Sequence, residues 1–393
     1  MRLAFAHVAV AACQLWLVCL ANGGCRAEAP PPLTVAPVPT AVTPLPTVSP
    51  SEGIADAGTA AAASASASAA GTPPSPIKLT AKAIALPGIS GHAALDYLVF
   101  ESSRGRIWVP VGDTGSVDVF DPASAQFTRI DGFKSAERDM HGKKRMMGPS
   151  SGSFGEGFVY IGNRASSEVC AIDAGTLKPG QCFKLATQPD GVAYVASAKE
   201  LWVTTPRDSS VTVLDASTPG TLRPKAVVKT PGSPEGYAVD DTHGLFLTNL
   251  EDKDQTIVID VKSHKIRSTW PSACGSDGPR GIAVDAASEL VMVACTDHVQ
   301  VLDGAHEGAQ VGKLDTGGGV DNLEWLASRR LLYVGAAAAA KLSVIHVDEK
   351  GQPAVVAVGA TAEGARNAVV DASGNAYLAD PMHGGILVFQ FKL

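Results

Sequence analysis

The chain is short of charge and of aromatic rings. Only 18% of its 393 residues are Asp, Glu, Lys or Arg, and only 6% are Phe, Trp or Tyr. Positive charge is the scarcer sign: 32 Lys and Arg stand against 39 Asp and Glu, a formal net charge of −7. That balance offers no electrostatic footprint for duplex nucleic acid. No C-x-x-C occurs among the seven Cys, so a zinc site of ordinary spacing is excluded. H-E-x-x-H, the P-loop and the dinucleotide fingerprint are also missing, and with them the chemistry each one supports. The 40 Gly follow no collagen period, and a hydrophobic content of 45% rules out a wholly disordered chain.

What is present begins with an export signal. Arg2 is followed by an apolar run from Leu3 to Ala21, and Ala27-Glu28-Ala29 fits a small-x-small cleavage site. Residues 1–29 therefore read as a signal peptide. An uncleaved anchor, or lipidation at Cys13 or Cys25, remains an alternative, because about 19 apolar residues are able to span a bilayer. Residues 30–76 are mostly Pro, Ala, Ser and Thr. They bury too little surface to offset ordering entropy and read as a disordered spacer. The expected location is periplasmic or cell-surface, with membrane attachment only through the N-terminus. Cys170, Cys182, Cys274 and Cys295 lie beyond the signal. Proximity in sequence favours Cys170–Cys182 and Cys274–Cys295, the alternative being four buried free thiols.

Residues 77–393 repeat. An alternating apolar strand ending in Asp recurs as Val117-Asp118-Val119-Phe120-Asp121, Val169–Asp173, Val211–Asp215, Thr256–Asp260 and Val299–Asp303. Degenerate copies at Leu342–His346 and Ile386–Gln390 bring the number to seven. A shorter apolar strand precedes each copy, for example Ile107-Trp108-Val109 and Leu201-Trp202-Val203. Pro189-Asp190-Gly191, Pro234-Glu235-Gly236 and Pro279-Arg280-Gly281 open units spaced 45 apart. Alternation by two with a period of this length predicts an all-β, seven-bladed β-propeller. The last copy ends after its third strand. A spare strand from Ile77 to Leu86 is expected to complete the last blade and close the ring.

The V-x-V-x-D strand resembles that of YVTN-type, YncE-like seven-bladed propellers. Gly278–Asp285, Gly317–Asp321, Leu95–Leu98 and Gly364–Asp371 look like that family's inner-strand phrases. The strict Y-V-T-N tetrapeptide is absent, and Leu247-Thr248-Asn249 is the closest remnant. The resemblance covers the repeat region. It implies an exported propeller, a group in which many members have no assigned activity.

Aligning the repeats places Asp96, Ser150, Asp190, Glu235, Arg280, Asp321 and Arg366 at equivalent positions on one lip of the central channel. Such a ring suits a small polar or zwitterionic ligand, or a divalent cation on Asp190, Glu235 and Asp96. The competing reading is a set of salt bridges, Arg280 with Glu235 and Asp321, and Arg366 with Asp321 and Asp96. An inserted loop, 134–148, joins the same face and carries Arg138, His141, Lys143, Lys144 and Arg145. Met140 and His141, with Met382 and His383, form the weaker case for copper. The leading expectation is a monomeric, non-catalytic scaffold that binds a small polar ligand or a protein partner through this face. The alternatives are a metal-dependent lactonase or lyase, with Asn322 and Asn367 beside the ring as further ligands, and a copper-handling propeller.

Overall fold

The computed structural model describes residues 75–391 except His141; the side chains of Met140 and Lys143 also fall outside it. The expected signal, its cleavage or lipidation sites and nearly all of the spacer lie outside the described residues. Among the described residues no helix is long and apolar enough to cross a membrane.

Seven antiparallel sheets of at least four strands account for the repeats. Blade 1 runs Val99–Glu101, Arg106–Val111, Ser116–Asp121 and Gln126–Ile130 from the channel outward. The inner strands of the next six blades are Pro149–Gly155, Val192–Val195, Pro234–Asp240, Ile282–Asp285, Val320–Leu326 and Arg366–Val370. Each inner strand packs beside the next, and the seventh packs beside the first, so the ring is complete. Every V-x-V-x-D segment is a third strand, flanked by the apolar second strand and by a more exposed outer one. β-Branched residues fill the second and third strands because both faces are covered by neighbouring blades.

The terminal Asp of the third strand also has a clear task. Its carboxylate accepts backbone N–H groups in the turn that follows: Asp121 from Ala123 at 2.8 Å, Asp173 from Thr176 at 2.7 Å, Asp215 from Ser217 at 2.9 Å and Asp260 from Ser263 at 2.7 Å. These Asx-type turns redirect the chain into the outer strand.

The spare N-terminal strand divides. Ala81–Ala85 pairs antiparallel with Gly385–Phe389 as the fourth strand of blade 7. Ile77–Leu79 instead adds in parallel to Pro353–Ala360, the outer strand of blade 6. The third strand of blade 7 has only five residues, so its pairing ends at Ala81 and Phe389, and the residues before Ala81 use the neighbouring edge.

Both expected disulfides form. Cys170 and Cys182 face each other on the third and outer strands of blade 2. Cys274 and Cys295 join the end of blade 4 to blade 5. Two disulfides fit an oxidising location.

Candidate functional site: a mixed-charge funnel

The opening phrase of each blade sets the lip. Ser150, Glu235, Asp321 and Arg366 lie in their inner strands, and Asp96, Asp190 and Arg280 lie two or three residues ahead of theirs. Glycine lets neighbouring phrases touch. A Cβ on Gly236, which has φ +65°, would strike the Arg280 carbonyl, and one on Gly281 would strike the Asn322 backbone. The lip is therefore packed backbone to backbone, with the preceding side chain projecting free of the contact.

Asp96, Ser150, Asp190, Glu235, Arg280 and Arg366 all line one funnel of ≈ 1200 Å³. Asp321 joins them through Arg366, whose Nε lies 3.3 Å from its Oδ2. Tyr97 and Tyr237, on blades 1 and 4, meet with ring centroids 6.1 Å apart close to these carboxylates. Burial and the surrounding carboxylates hold the Tyr97 hydroxyl well above its usual pKa, so it stays neutral. Deeper along the inner strand of blade 6, burial pushes the Glu324 carboxyl up to about 8.

The insertion at 134–148 is a β-hairpin rather than an irregular loop: Ala136–Met140 pairs with Lys143–Met147. Alternating long side chains on two short strands allow this. Its second strand stands at the funnel rim, where Lys144 and Arg145 line the opening. Lys144 pairs with Glu137 at 2.8 Å, and Arg138 sits opposite Arg145. His141 lies outside the described residues. His383 is bonded to Asp380 at 3.0 Å, while Met382 is exposed at the rim.

One central residue escaped the sequence reading. Arg164 follows the second strand of blade 2 and reaches over the lip. Its guanidinium bridges Asp96, at 2.8 Å, and Asp190. Burial opposes its charge, but the two carboxylates outweigh burial and raise its pKa further. Residues after the second strands of other blades, such as Glu251, also reach the funnel, a regularity that the structure reveals.

Glu251 produces a second difference. Arg280 pairs with Glu251 at 2.5 Å, and not with Glu235 and Asp321 as the lip alignment suggested. Glu251 stands in the short turn Glu251–Lys253 directly after its strand and supplies the nearer carboxylate. Arg366 does pair with Asp321, and reaches Asp96 at 3.9 Å. Asn367 donates its amide to Asp96 at 2.8 Å.

Glu235 is thereby left without a cationic partner among the described residues. Burial first, then Asp190, Asp321, Glu251 and Asp96, push its carboxyl up to about 9. Burial also raises Asp96, against the opposing pull of Arg164. Four further atoms at the lip have unmet bonds: Ser150 Oγ, Asp190 Oδ2, Arg366 Nε and Asn367 Oδ1 are buried with no hydrogen-bond partner. Nothing matches the expected divalent-cation set. A guanidinium occupies the bridge between Asp96 and Asp190, and no group of three or more His, Cys, Asp or Glu side chains among the described residues is arranged to hold a metal ion.

A G-x-S-x-G spelling, Gly148-Pro149-Ser150-Ser151-Gly152, was also passed over in the sequence. Ser150 and Ser151 lie within the continuous strand Pro149–Gly155, not on a strand-to-helix turn, so the elbow that exposes a nucleophile is not built.

The chain is thus a seven-bladed β-propeller with a polar, mixed-charge funnel on one face. No family model and no curated protein matches its sequence. Among solved structures it is similar to virginiamycin B lyase from Staphylococcus aureus, with TM-score 0.62, 10% identity, 80% of this chain and 100% of that one covered. It is similar also to Kuenenia stuttgartiensis hydrazine synthase, with TM-score 0.63, 13% identity, 78% and 99% covered. A third is U3-55K, with TM-score 0.64, 11% identity, 79% and 98% covered. Likeness at these identities establishes the fold alone.

Proposed function

We propose that the protein is an exported, YVTN-type propeller acting as a non-catalytic binding scaffold, which takes a small polar ligand in the funnel beneath the basic hairpin. The observation that carries this reading is the uneven satisfaction of the lip. Arg280, Asp321, Arg366 and Asp96 are engaged in ion pairs, while Ser150 Oγ, Asp190 Oδ2 and the Glu235 carboxylate are left over. Buried polar groups are normally bonded, and a group of orphans around one cavity fits a bound polar molecule. Export is supported by the two disulfides and by the N-terminal sequence.

The test is a ligand-observed NMR screen of a polar small-molecule library against the wild-type protein and Glu235→Gln. Ligands that bind the wild type and are lost or weakened in the variant support the funnel as the site. A library without binders, or binders indifferent to the variant, overturns it.

One observation favours catalysis instead: a carboxyl titrating near 9 holds a proton at neutral pH and suits a general acid in a lactonase or lyase. Turnover of a lactone panel that disappears in Glu235→Gln would replace the scaffold reading.

A further inference from the structure

Unmet polar groups at the lip fall in two places: Arg366 Nε and Asn367 Oδ1 on blade 7, and a run of acceptors on the opposite side. Ser150, Asp190 and Glu235 open the inner strands of blades 2, 3 and 4 in succession. The paired groups occupy the rest of the circle: Arg280 with Glu251, then Asp321, Arg366 and Asp96 in a chain. The lip is divided into a closed arc and an open one.

The open arc consists of acceptors. Ser150 is only 6% exposed, lines the funnel, and its Oγ has no partner. Asp190 gives Oδ1 to Arg164 and leaves Oδ2 unbonded. Glu235 has no cation beside it. Asp190 contributes more to its electrostatic surroundings than any other charged residue, which makes the two carboxylates neighbours. Around the lip five carboxylates, Asp96, Asp190, Glu235, Glu251 and Asp321, meet three guanidiniums, Arg164, Arg280 and Arg366, and Arg207, directly after the second strand of blade 3, also lines the funnel. The free acceptors themselves, rather than a net deficit of positive charge, mark this side of the lip. At the rim the sign reverses, with Lys144 and Arg145 on the hairpin above.

We propose that the funnel takes a molecule with a primary ammonium at one end and an anionic group at the other, the ammonium lodged on the Ser150–Asp190–Glu235 arc. This rests on the funnel being the binding site. A primary ammonium brings three N–H donors, one for each free acceptor, and a single positive charge. A guanidinium would need a planar fork of acceptors rather than three separate ones. A divalent ion would stand beside Arg164, which already holds the other oxygen of Asp190. The anionic end meets the basic rim.

Proton linkage follows from the same groups. Glu235 faces Asp190, Asp321, Glu251 and Asp96, with Tyr97 nearby, Arg280 on the next blade and Arg164 and Arg207 in the same cavity, and its carboxyl titrates near 9. Seating an ammonium there requires the ionised form, so binding at pH 7 releases one proton. Affinity then rises with pH, by about tenfold per unit between 6 and 8.

The experiment is calorimetry on the full-length protein with 5-aminopentanoate as probe, beside its trimethylammonium analogue, pentanoate and calcium chloride. The expected result is saturable binding of 5-aminopentanoate that strengthens from pH 6 to 8. Binding should be at least tenfold weaker for the trimethylated analogue, and absent for pentanoate and calcium. Glu235→Gln and Ser150→Ala should each weaken it at least fivefold. Equal binding of the trimethylated analogue, a flat pH profile, or unchanged affinity in both variants overturns the inference. Should the library screen yield Glu235-dependent ligands that carry no amine, this inference falls while the funnel reading stands. If nothing binds at all, both fall.

Discussion

Replacing Glu235 by Gln should make the protein more stable, and more so as the pH rises. The native carboxyl titrates near 9 against an ordinary 4.5. A raised carboxyl means that the native state holds a proton which the unfolded state has released. Between these two values the native state binds more protons, so stability falls with rising pH. The contribution is intact below about pH 4.5, declines through neutrality, and is fully lost above 9. Each pH unit in that window removes up to about 1.4 kcal/mol, which accumulates to about 3 kcal/mol at pH 7. Glutamine has nearly the shape of a protonated glutamate and cannot ionise, so the variant escapes the penalty. Asp190, Asp321, Glu251 and Asp96 create much of that field, and side-chain rearrangement around them relieves part of the penalty in the wild type. Their response leaves an expected gain of about 1–3 kcal/mol at pH 7. The assay is urea denaturation of both proteins at pH 5, 7 and 8.5. The difference should be under about 1 kcal/mol at pH 5 and grow at each step. A variant that is less stable at pH 7, or a difference independent of pH, would refute the placement of an unpaired acid at the lip. A stable Glu235→Gln protein that has lost binding would instead show stability given up for function.

Other perturbations probe different parts of the same ring. Arg164→Ala leaves Asp96 and Asp190 buried without their shared cation and should cost about 3 kcal/mol in denaturant unfolding; Arg164→Lys should recover only part of it, since one ammonium replaces a fork. Gly236→Ala, at φ +65° against the Arg280 carbonyl, should destabilise by more than about 1 kcal/mol and lower Tm measurably. Removing Cys274–Cys295, which closes 21 residues, should cost about 3 kcal/mol, read as a lower Tm for Cys274→Ala/Cys295→Ala.

The fold was legible because it is written seven times. A strand such as Val211–Asp215 shows alternation, a buried face and a terminal Asp, and each mark has a local physical cause that reads from the sequence alone. The lip positions were legible for the same reason: a residue between a Pro and a Gly opens the units of blades 3, 4 and 5, and the repeat period carries that position to the other four. What could not be read was partner choice. Aligning one repeat position with itself finds which residues share a height, but ion pairs form between positions of different kind. Arg164 and Glu251 follow second strands, and both reach the lip from there. Glu251 takes Arg280 away from Glu235, and Arg164 takes one oxygen of Asp190. These two side chains, neither of them a lip residue, determine which half of the ring is closed. A regular ring of charges would be expected to neutralise itself all round. Here the reach of two loops leaves Ser150 Oγ, Asp190 Oδ2 and Glu235 without partners on adjacent blades, and the proposed preference for a cationic donor rests on those three groups rather than on total charge.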